Sequence, residues 1–267
     1  MARDLEEYLR PGVPGTAFCP GCGHGILMGA ILRAIDQLKL NLDDMLFVSG
    51  IGCAAWIPSP NFNADTLHTL HGRAIPAATG VKMYNPRLNV VVVSGDGDLV
   101  DIGGNHLIHA ARRNVDITVL CANNMIYGMT GGQACSTTPL GAHTQTTQSN
   151  AYRSFDLCHL VSAAGASYVA RYAITQPLAL IGSIKKALQI KGFSFIEVLS
   201  TCPTQYGRRN HLGTPAEMIG YLMERCIDRK EANGLSHQEL EGRIITGEFL
   251  DSLPLSGGAT YGKAQAG

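Results

Sequence analysis

The sequence predicts a doubly wound, mostly parallel α/β sheet, on three observations. Short apolar runs recur along the chain, amphipathic stretches of helical period fall between them, and glycine is abundant (31 of 267 residues) while aromatic residues are scarce at 6%. A run that is apolar at every position suits a strand covered on both faces. Strands alternating with helices form parallel units joined by right-handed crossovers.

Four such runs read as buried parallel strands: Met45 to Ser49, Val90 to Ser94, Ile117 to Cys121 and Phe195 to Leu199. Between them, Gly25 to Leu38 places Ile26, Leu27, Ala30, Ile31, Ala34, Ile35 and Leu38 on one helical stripe. Asn105 to Arg113 reads as a shorter helix, and Pro177 to Ile190 opens with proline, which a first helical turn tolerates. Residues 1–212 are expected to form the main domain and residues 213–267 a C-terminal helical arm with a flexible tail. From about Arg229 the composition shifts to Lys, Glu, Asn, Gly and Ser, with one short helix expected near Ser236 to Ile244 and a flexible end at Ser256 to Ala259.

Charge narrows the function. Lys and Arg number 21 against 21 Asp and Glu, and charged residues make up only 16%, so no electrostatic field points to nucleic acid or a membrane surface. The acidic start, Asp4-Leu5-Glu6-Glu7, lacks the apolar run of a secretory signal, and no uninterrupted apolar stretch long enough for a membrane span follows. A cytoplasmic location is the expectation. In such a compartment eight cysteines argue for metal binding, catalysis or burial ahead of disulfides.

Ligands of open α/β sheets bind beyond the carboxyl ends of the strands. Two runs end there in unusual polar text: Val90 to Ser94 leads into Gly95-Asp96-Gly97-Asp98, and the run ending at Cys121 leads into Asn123-Asn124. A carboxylate from Asp96 and an amide oxygen from Asn124 are hard ligands suited to Mg²⁺, which in turn neutralises a diphosphate. Either motif alone is as readily a turn. No Gly-x-Gly-x-x-Gly follows a strand and no Walker loop is present, so a nicotinamide dinucleotide or ATP would need a site of another kind.

Cys19-Pro20-Gly21-Cys22 places two thiols in a tight loop ahead of the first helix. Taken alone the pair fits a redox dithiol or half a zinc site. Cys53 and Cys202 each follow an expected strand, which would bring them to the sheet edge that carries Asp96 and Asn124. Four thiolates there suit an iron–sulfur cluster, and zinc would also accept them. Cys121, Cys135, Cys158 and Cys226 read as small buried hydrophobes.

Gly95-Asp96-Gly97, then 25 residues, then Asn123-Asn124 resembles the cofactor motif of thiamine diphosphate enzymes. With Phe18 to Gly25, Ser49 to Cys53, His71 to Ala74, Ile126 to Gln133 and Cys202 to Thr204, the chain from about Pro14 to Asn210 resembles the thiamine-diphosphate-binding β subunits of 2-oxoacid:ferredoxin oxidoreductases. That resemblance implies Mg²⁺ held by Asp96, Asn124 and the carbonyl of Ile126. It implies thiamine diphosphate contacts at Ile51, Gly52, Cys53, Ala54, Gly97, Asp98, Gly128, Met129 and Thr130, with His71 as a further contact. It also implies a [4Fe-4S] cluster on Cys19, Cys22, Cys53 and Cys202. His24 is expected to cap or pack at the cluster loop, while Arg73, Arg208 and Arg209 receive no role.

The implied reaction is coenzyme A-dependent oxidative decarboxylation of a 2-oxoacid, with electrons passing through the cluster to ferredoxin. The glutamate that activates thiamine belongs, in that family, to a partner α subunit. Within the family the motifs look most like 2-oxoglutarate enzymes. Against this, the segment Cys121 to Tyr152 is rich in Thr, Gln and Gly but contains no Lys or Arg, and Trp56 with Ile57 follows Cys53, so no cation for a distal carboxylate is evident. A branched-chain or aryl 2-oxoacid, a non-oxidative thiamine enzyme and a zinc- or cluster-stabilised binding module are the competing readings.

Overall fold

The computed structural model describes residues 5–13 and 15–251. Among the described residues, eight strands form one sheet: β1 (Met45–Ser49), β2 (Asp65–His68), β3 (Asn89–Gly95), β4 (Thr118–Asn123), β5 (Tyr168–Ala173), β6 (Ser194–Leu199), β7 (Cys226–Asp228) and β8 (Ile244–Asp251). Their spatial order is β2-β1-β3-β4-β6-β5-β8-β7. The first six in that order are mutually parallel, and β8 joins β5 antiparallel with β7 alongside.

The helices are α1 (His24–Leu38), α2 (Ala74–Tyr84), α3 (Gly104–Arg112), α4 (Leu157–Ala164), α5 (Pro177–Gln189), α6 (Pro215–Arg225) and the single turn α7 (Arg229–Ala232). Two apolar cores lie on opposite faces of the sheet. On one, Phe47, Val91, Val93, Leu120 and Ile196 meet Leu27, Ile31 and Ile35 of α1 and Leu180 and Ile184 of α5. On the other, Val48, Val90, Val92, Val119 and Phe195 meet Ile75 of α2, Leu107 of α3 and Leu157 and Val161 of α4. Successive side chains of a strand point to opposite faces, so a strand with helices on both sides must be apolar throughout. That is why the inner strands are legible as unbroken runs.

Local signals fix several helix ends. α1 stops at Lys39, which takes the left-handed conformation (φ 54°) and pairs with Asp36 at 2.8 Å. Thr214 and Glu217 form a reciprocal capping box that opens α6.

The C-terminal segment carries α6 and α7 but not the short helix expected near Ser236 to Ile244. Ser236 and Glu239 do make a capping-type exchange, with Ser236 N–H donating to Glu239 Oε2 at 2.8 Å and Glu239 N–H to Ser236 Oγ at 3.4 Å. The chain then completes one turn only, because Gly242 bends away in a left-handed conformation (φ 73°) and β8 begins at Ile244. No helix spans 236–244, and β8 adds a strand to the main sheet beside β5. The expected flexible end at 256–259 lies outside the described residues. Among those described, no helix is long and apolar enough to cross a membrane.

Candidate active site

The strand order reverses between β1 and β3: from β1 the chain goes outward to β2, then returns to place β3 on the other side. Such a switch point opens a crevice beyond the strand ends. Three turns line it. β1 runs into Gly50 to Trp56, β3 into a π-helical turn at Gly97–Ile102, and β4 into Asn123-Asn124.

One cavity of about 110 Å³ lies there, bounded by residues 51–54, His71, residues 95–98, Asn124 and residues 126–130, with His24 at its side. All residues named from sequence for the cofactor and its cation therefore face a single space. Asp96 is buried, and burial pushes its carboxyl up to about 6 even though hydrogen bonds from Thr137 and Cys135 favour the charged form. Its donors are the hydroxyl of Thr137, the thiol of Cys135 (3.3 Å) and the Met125 N–H (3.1 Å). Among the described residues no Lys, Arg or His forms an ion pair with it. A buried carboxylate with only neutral donors, beside the Asn124 side chain, is a donor set that fits a hard cation. Burial, and next the Asp96 charge, push the Cys135 thiol far up, which keeps it an S–H donor.

Asp98 has a different environment. The residue is 2% exposed, and Oδ1 accepts from Ile51 N–H (3.0 Å), Gly72 N–H (2.8 Å) and the His71 ring, while Oδ2 accepts from the Ser94 hydroxyl at 2.7 Å. It lines the cavity, yet its oxygens tie the loop after β1 and the loop before α2 to the end of β3. Gly97 admits Tyr127: a β-carbon there would stand 2.3 Å from the ring, and the Tyr127 hydroxyl donates to the Gly97 carbonyl at 3.0 Å.

A second cavity of about 380 Å³ is lined by Cys19, Cys22, Cys53 and Cys202. Burial, with the neighbouring cysteines as a smaller cause, pushes the thiols of Cys22 and Cys53 up to about 11; Cys202 also shifts upward, chiefly by burial. Thiolates crowded in a half-buried space need a positive centre among them, so four cysteines around one cavity fit a cluster. Among the described residues no three His, Cys, Asp or Glu side chains converge on a point where one ion would sit; the thiols ring the cavity instead. His24, the first residue of α1, is buried between the two cavities, and burial pushes its ring down to about 4. Its Nδ1 lies 3.1 Å from Ser200 Oγ, and Phe18 meets its ring edge-on.

The cavities share a wall. His24, Cys53, Asn124, Gly128 and Met129 line both, and a β-carbon at Gly128 would stand 3.3 Å from Cys202 Sγ, 3.8 Å from Asn124 Nδ2 and 4.0 Å from Cys53 Sγ.

The C-terminal TPP-binding domain of thiamine pyrophosphate enzymes matches residues 50–198. The 2-oxoglutarate synthase subunit KorB of Methanocaldococcus jannaschii is 50% identical over 246 residues, 92% of this chain and 91% of the relative. A 2-oxoacid:ferredoxin oxidoreductase subunit beta of Saccharolobus solfataricus is 42% identical over 189 residues, 70% of this chain and 62% of the relative. The chain belongs to the 2-oxoacid:ferredoxin oxidoreductase β-subunit family. The solved 2-oxoglutarate:ferredoxin oxidoreductase of Magnetococcus marinus, with 2-oxoglutarate, coenzyme A and succinyl-CoA bound, superposes with a TM-score of 0.83 at 30% identity, covering 94% of this chain and 86% of that one.

Around this β-subunit site lie residues to which the sequence assigned no part in it. Thr137 is 41 positions from Asp96 in a stretch without periodicity, so nothing local flags it. Cys135, read as a buried hydrophobe, is buried but donates to Asp96. Arg209, left without a role, donates to the Gly131 carbonyl (2.9 Å) and to Gln145 (2.6 Å), bracing the 126–133 loop. Arg73 donates to the Gly72 carbonyl at 3.1 Å and Arg208 is exposed.

Proposed function

We propose that this β subunit, with an α subunit, oxidatively decarboxylates 2-oxoglutarate to succinyl-CoA and CO₂ and delivers the electrons to ferredoxin. The observation that carries the reading is the shared wall: one glycine thickness separates the diphosphate-type cavity from the cysteine cavity. A non-oxidative thiamine enzyme has no use for four thiols at that place, and a binding module has none for the buried carboxylate.

Asp96, Asn124 and the Ile126 carbonyl would hold Mg²⁺, and the residues 51–54, His71, Gly97 and residues 128–130 would hold thiamine diphosphate. Cys19, Cys22, Cys53 and Cys202 would hold a [4Fe-4S] cluster. When bound, the thiazolium supplies an electron sink for the departing carboxylate, and the cluster supplies one-electron acceptance. The chain's own contribution is positioning. Asp98 fixes the loops bearing Cys53 and His71, neutral His24 closes the wall between the cavities, and Gly128 keeps that wall thin. No glutamate lines the cofactor cavity, so the base that activates thiamine comes from the α subunit. Ile51, Trp56, Leu70, Ile102 and Met129 are exposed large apolar residues, a surface suited to that partner. The assembly is cytoplasmic.

One observation favours a second reading of the substrate. No Lys or Arg lines either cavity, and the side chains at the mouth include Ile51, Met129 and Trp56. An apolar half-pocket suits a branched or aryl 2-oxoacid, unless the α subunit brings the cation. Steady-state assays of the assembled complex with 2-oxoglutarate, pyruvate, 2-oxoisovalerate and phenylglyoxylate decide between them. The highest kcat/KM is expected for 2-oxoglutarate, and a higher value for any other acid rejects that assignment. Isothermal titration tests the cofactor: Asp96→Ala should lose most of the affinity for thiamine diphosphate, and unchanged binding rejects the metal reading.

A further inference from the structure

Beside the backbone N–H groups of Asp96 and Gly97, which also favour its charged form, three donors from the coil after β4 converge on one oxygen of Asp96. Met125 N–H lies 3.1 Å from Oδ2, Cys135 Sγ lies 3.3 Å from it, and the Thr137 hydroxyl donates to it as well. Cys135 Sγ and Thr137 Oγ1 are themselves 3.0 Å apart. The next residue reaches the opposite side of the site: the Thr138 hydroxyl donates to the Met125 carbonyl at 2.7 Å and accepts from Cys135 N–H at 2.9 Å.

Met125 needs such support. It adopts a left-handed conformation (φ 67°) that non-glycine residues rarely take, and it stands between Asn124 and Ile126. The orientation of its peptide groups decides where the Asn124 amide and the Ile126 carbonyl point. The segment Cys135 to Thr138 therefore touches both halves of the arrangement, the carboxylate from β3 and the turn after β4.

We infer that Cys135, Thr137 and Thr138 are positioning residues for the cation that holds the diphosphate. They occupy Asp96 Oδ2, which commits Oδ1 to the cation, and they pin the Met125 turn that presents the other two ligands. Mg²⁺ tolerates little departure from octahedral geometry, so a carboxylate free to rotate binds it less well. Outer partners of this kind typically change metal affinity by roughly 10- to 100-fold. The inference rests on the proposal above that Asp96 is a cation ligand.

The test uses the assembled complex and titrates thiamine diphosphate at stepped Mg²⁺ concentrations by calorimetry, with Mn²⁺ paramagnetic resonance as a direct count of bound metal. Thr137→Val removes the hydroxyl and keeps the shape. It should raise the Mg²⁺ needed for half-saturation by roughly 10-fold or more, whereas Thr137→Ser should stay within about threefold of the parent. Thermal unfolding without metal or cofactor should be similar for the two variants, which a merely structural role would not produce. If Thr137→Val fails to fold, Cys135→Ala against Cys135→Ser asks the same question at the same oxygen, with Ala weaker and Ser close to the parent. An unchanged Mg²⁺ requirement in Thr137→Val and Cys135→Ala, while Asp96→Asn loses metal, overturns the positioning role alone. Unchanged metal binding in Asp96→Asn overturns the ligand reading and this inference with it.

Discussion

Replacing Asp98 separates a residue that touches cofactor from one that ties the site together. Its carboxylate receives two backbone N–H groups, a hydroxyl and an imidazole while only 2% exposed. In Asp98→Ala the Gly72 N–H and the Ser94 hydroxyl are left buried without an acceptor, at a cost of about 1–3 kcal/mol each. Ile51 N–H and His71 are near the surface and can find water. The sum is about 4 kcal/mol, which for a chain of this size lowers the unfolding midpoint by roughly 8–16 °C.

Asp98→Asn should be far milder. The amide oxygen can take the place of Oδ1 and keep Ile51, Gly72 and His71, while the amide N–H donates to a Ser94 hydroxyl that has turned round. Only the charge-assisted part is lost, about 1 kcal/mol. Gly50→Ala should resemble Asp98→Ala, because the new β-carbon would lie 2.0 Å from Asp98 Oδ2 and push the carboxylate from its donors. Urea and thermal unfolding of the cofactor-free chain, followed by circular dichroism, give the ranking. An Asp98→Ala chain within about 1 kcal/mol of the parent, or Asn as damaging as Ala, would refute the anchoring argument.

Arg171 lies buried between Glu197 (2.7 Å) and Asp156 (2.8 Å), so Arg171→Met strands a buried carboxylate and should cost about 3–5 kcal/mol in urea unfolding, with Glu197→Gln in the same chain restoring much of it. Burial alone would raise the Asp156 carboxyl, but Arg171 and then His159 hold it below the usual carboxylate range; a depressed acid stabilises above its unfolded pKa, and that contribution fades as pH falls below about 4. The acid-side loss of stability should accordingly be shallower in Arg171→Met. Cys202→Ala should lose iron, by elemental analysis and visible absorbance, while Cys226→Ala keeps it; equal iron in both removes Cys202 from the ligand set.

Legibility of this fold follows burial. β1, β3, β4 and β6 are covered on both faces and read as apolar runs, whereas β2 is an edge strand whose Asp-Thr-Leu-His text is mostly exposed. β5 escapes because Arg171 interrupts it, a charge tolerated inside only through its two carboxylates. α2 carries Pro76 and Gly80, and α4 has only eight residues, too few to show a helical period. Cys53, Cys202 and the Gly-Asp-Gly turn are legible because each follows a strand end, and Cys19 and Cys22 because they form a Cys-x-x-Cys loop just ahead of α1. Thr137, Thr138 and Tyr127 act through the path of the coil between β4 and α4, which no periodicity encodes.

The same contrast bears on why the chain needs a partner. Its residues supply the proposed cation ligands Asp96 and Asn124, the cysteines around the second cavity and the thin wall at Gly128, all within the described fold. What is missing is chemical rather than geometric: neither cavity is lined by a glutamate, a lysine or an arginine. Proton removal from thiamine and charge recognition of a dicarboxylate both need such groups. Met129 is 51% exposed and Ile51 42% exposed at the cofactor cavity, so its mouth is an apolar surface open to solvent. Covering that surface would exclude water from the reacting centre and bring in the absent charges in one step, which makes the division of labour between two chains a consequence of where this one places its polar groups.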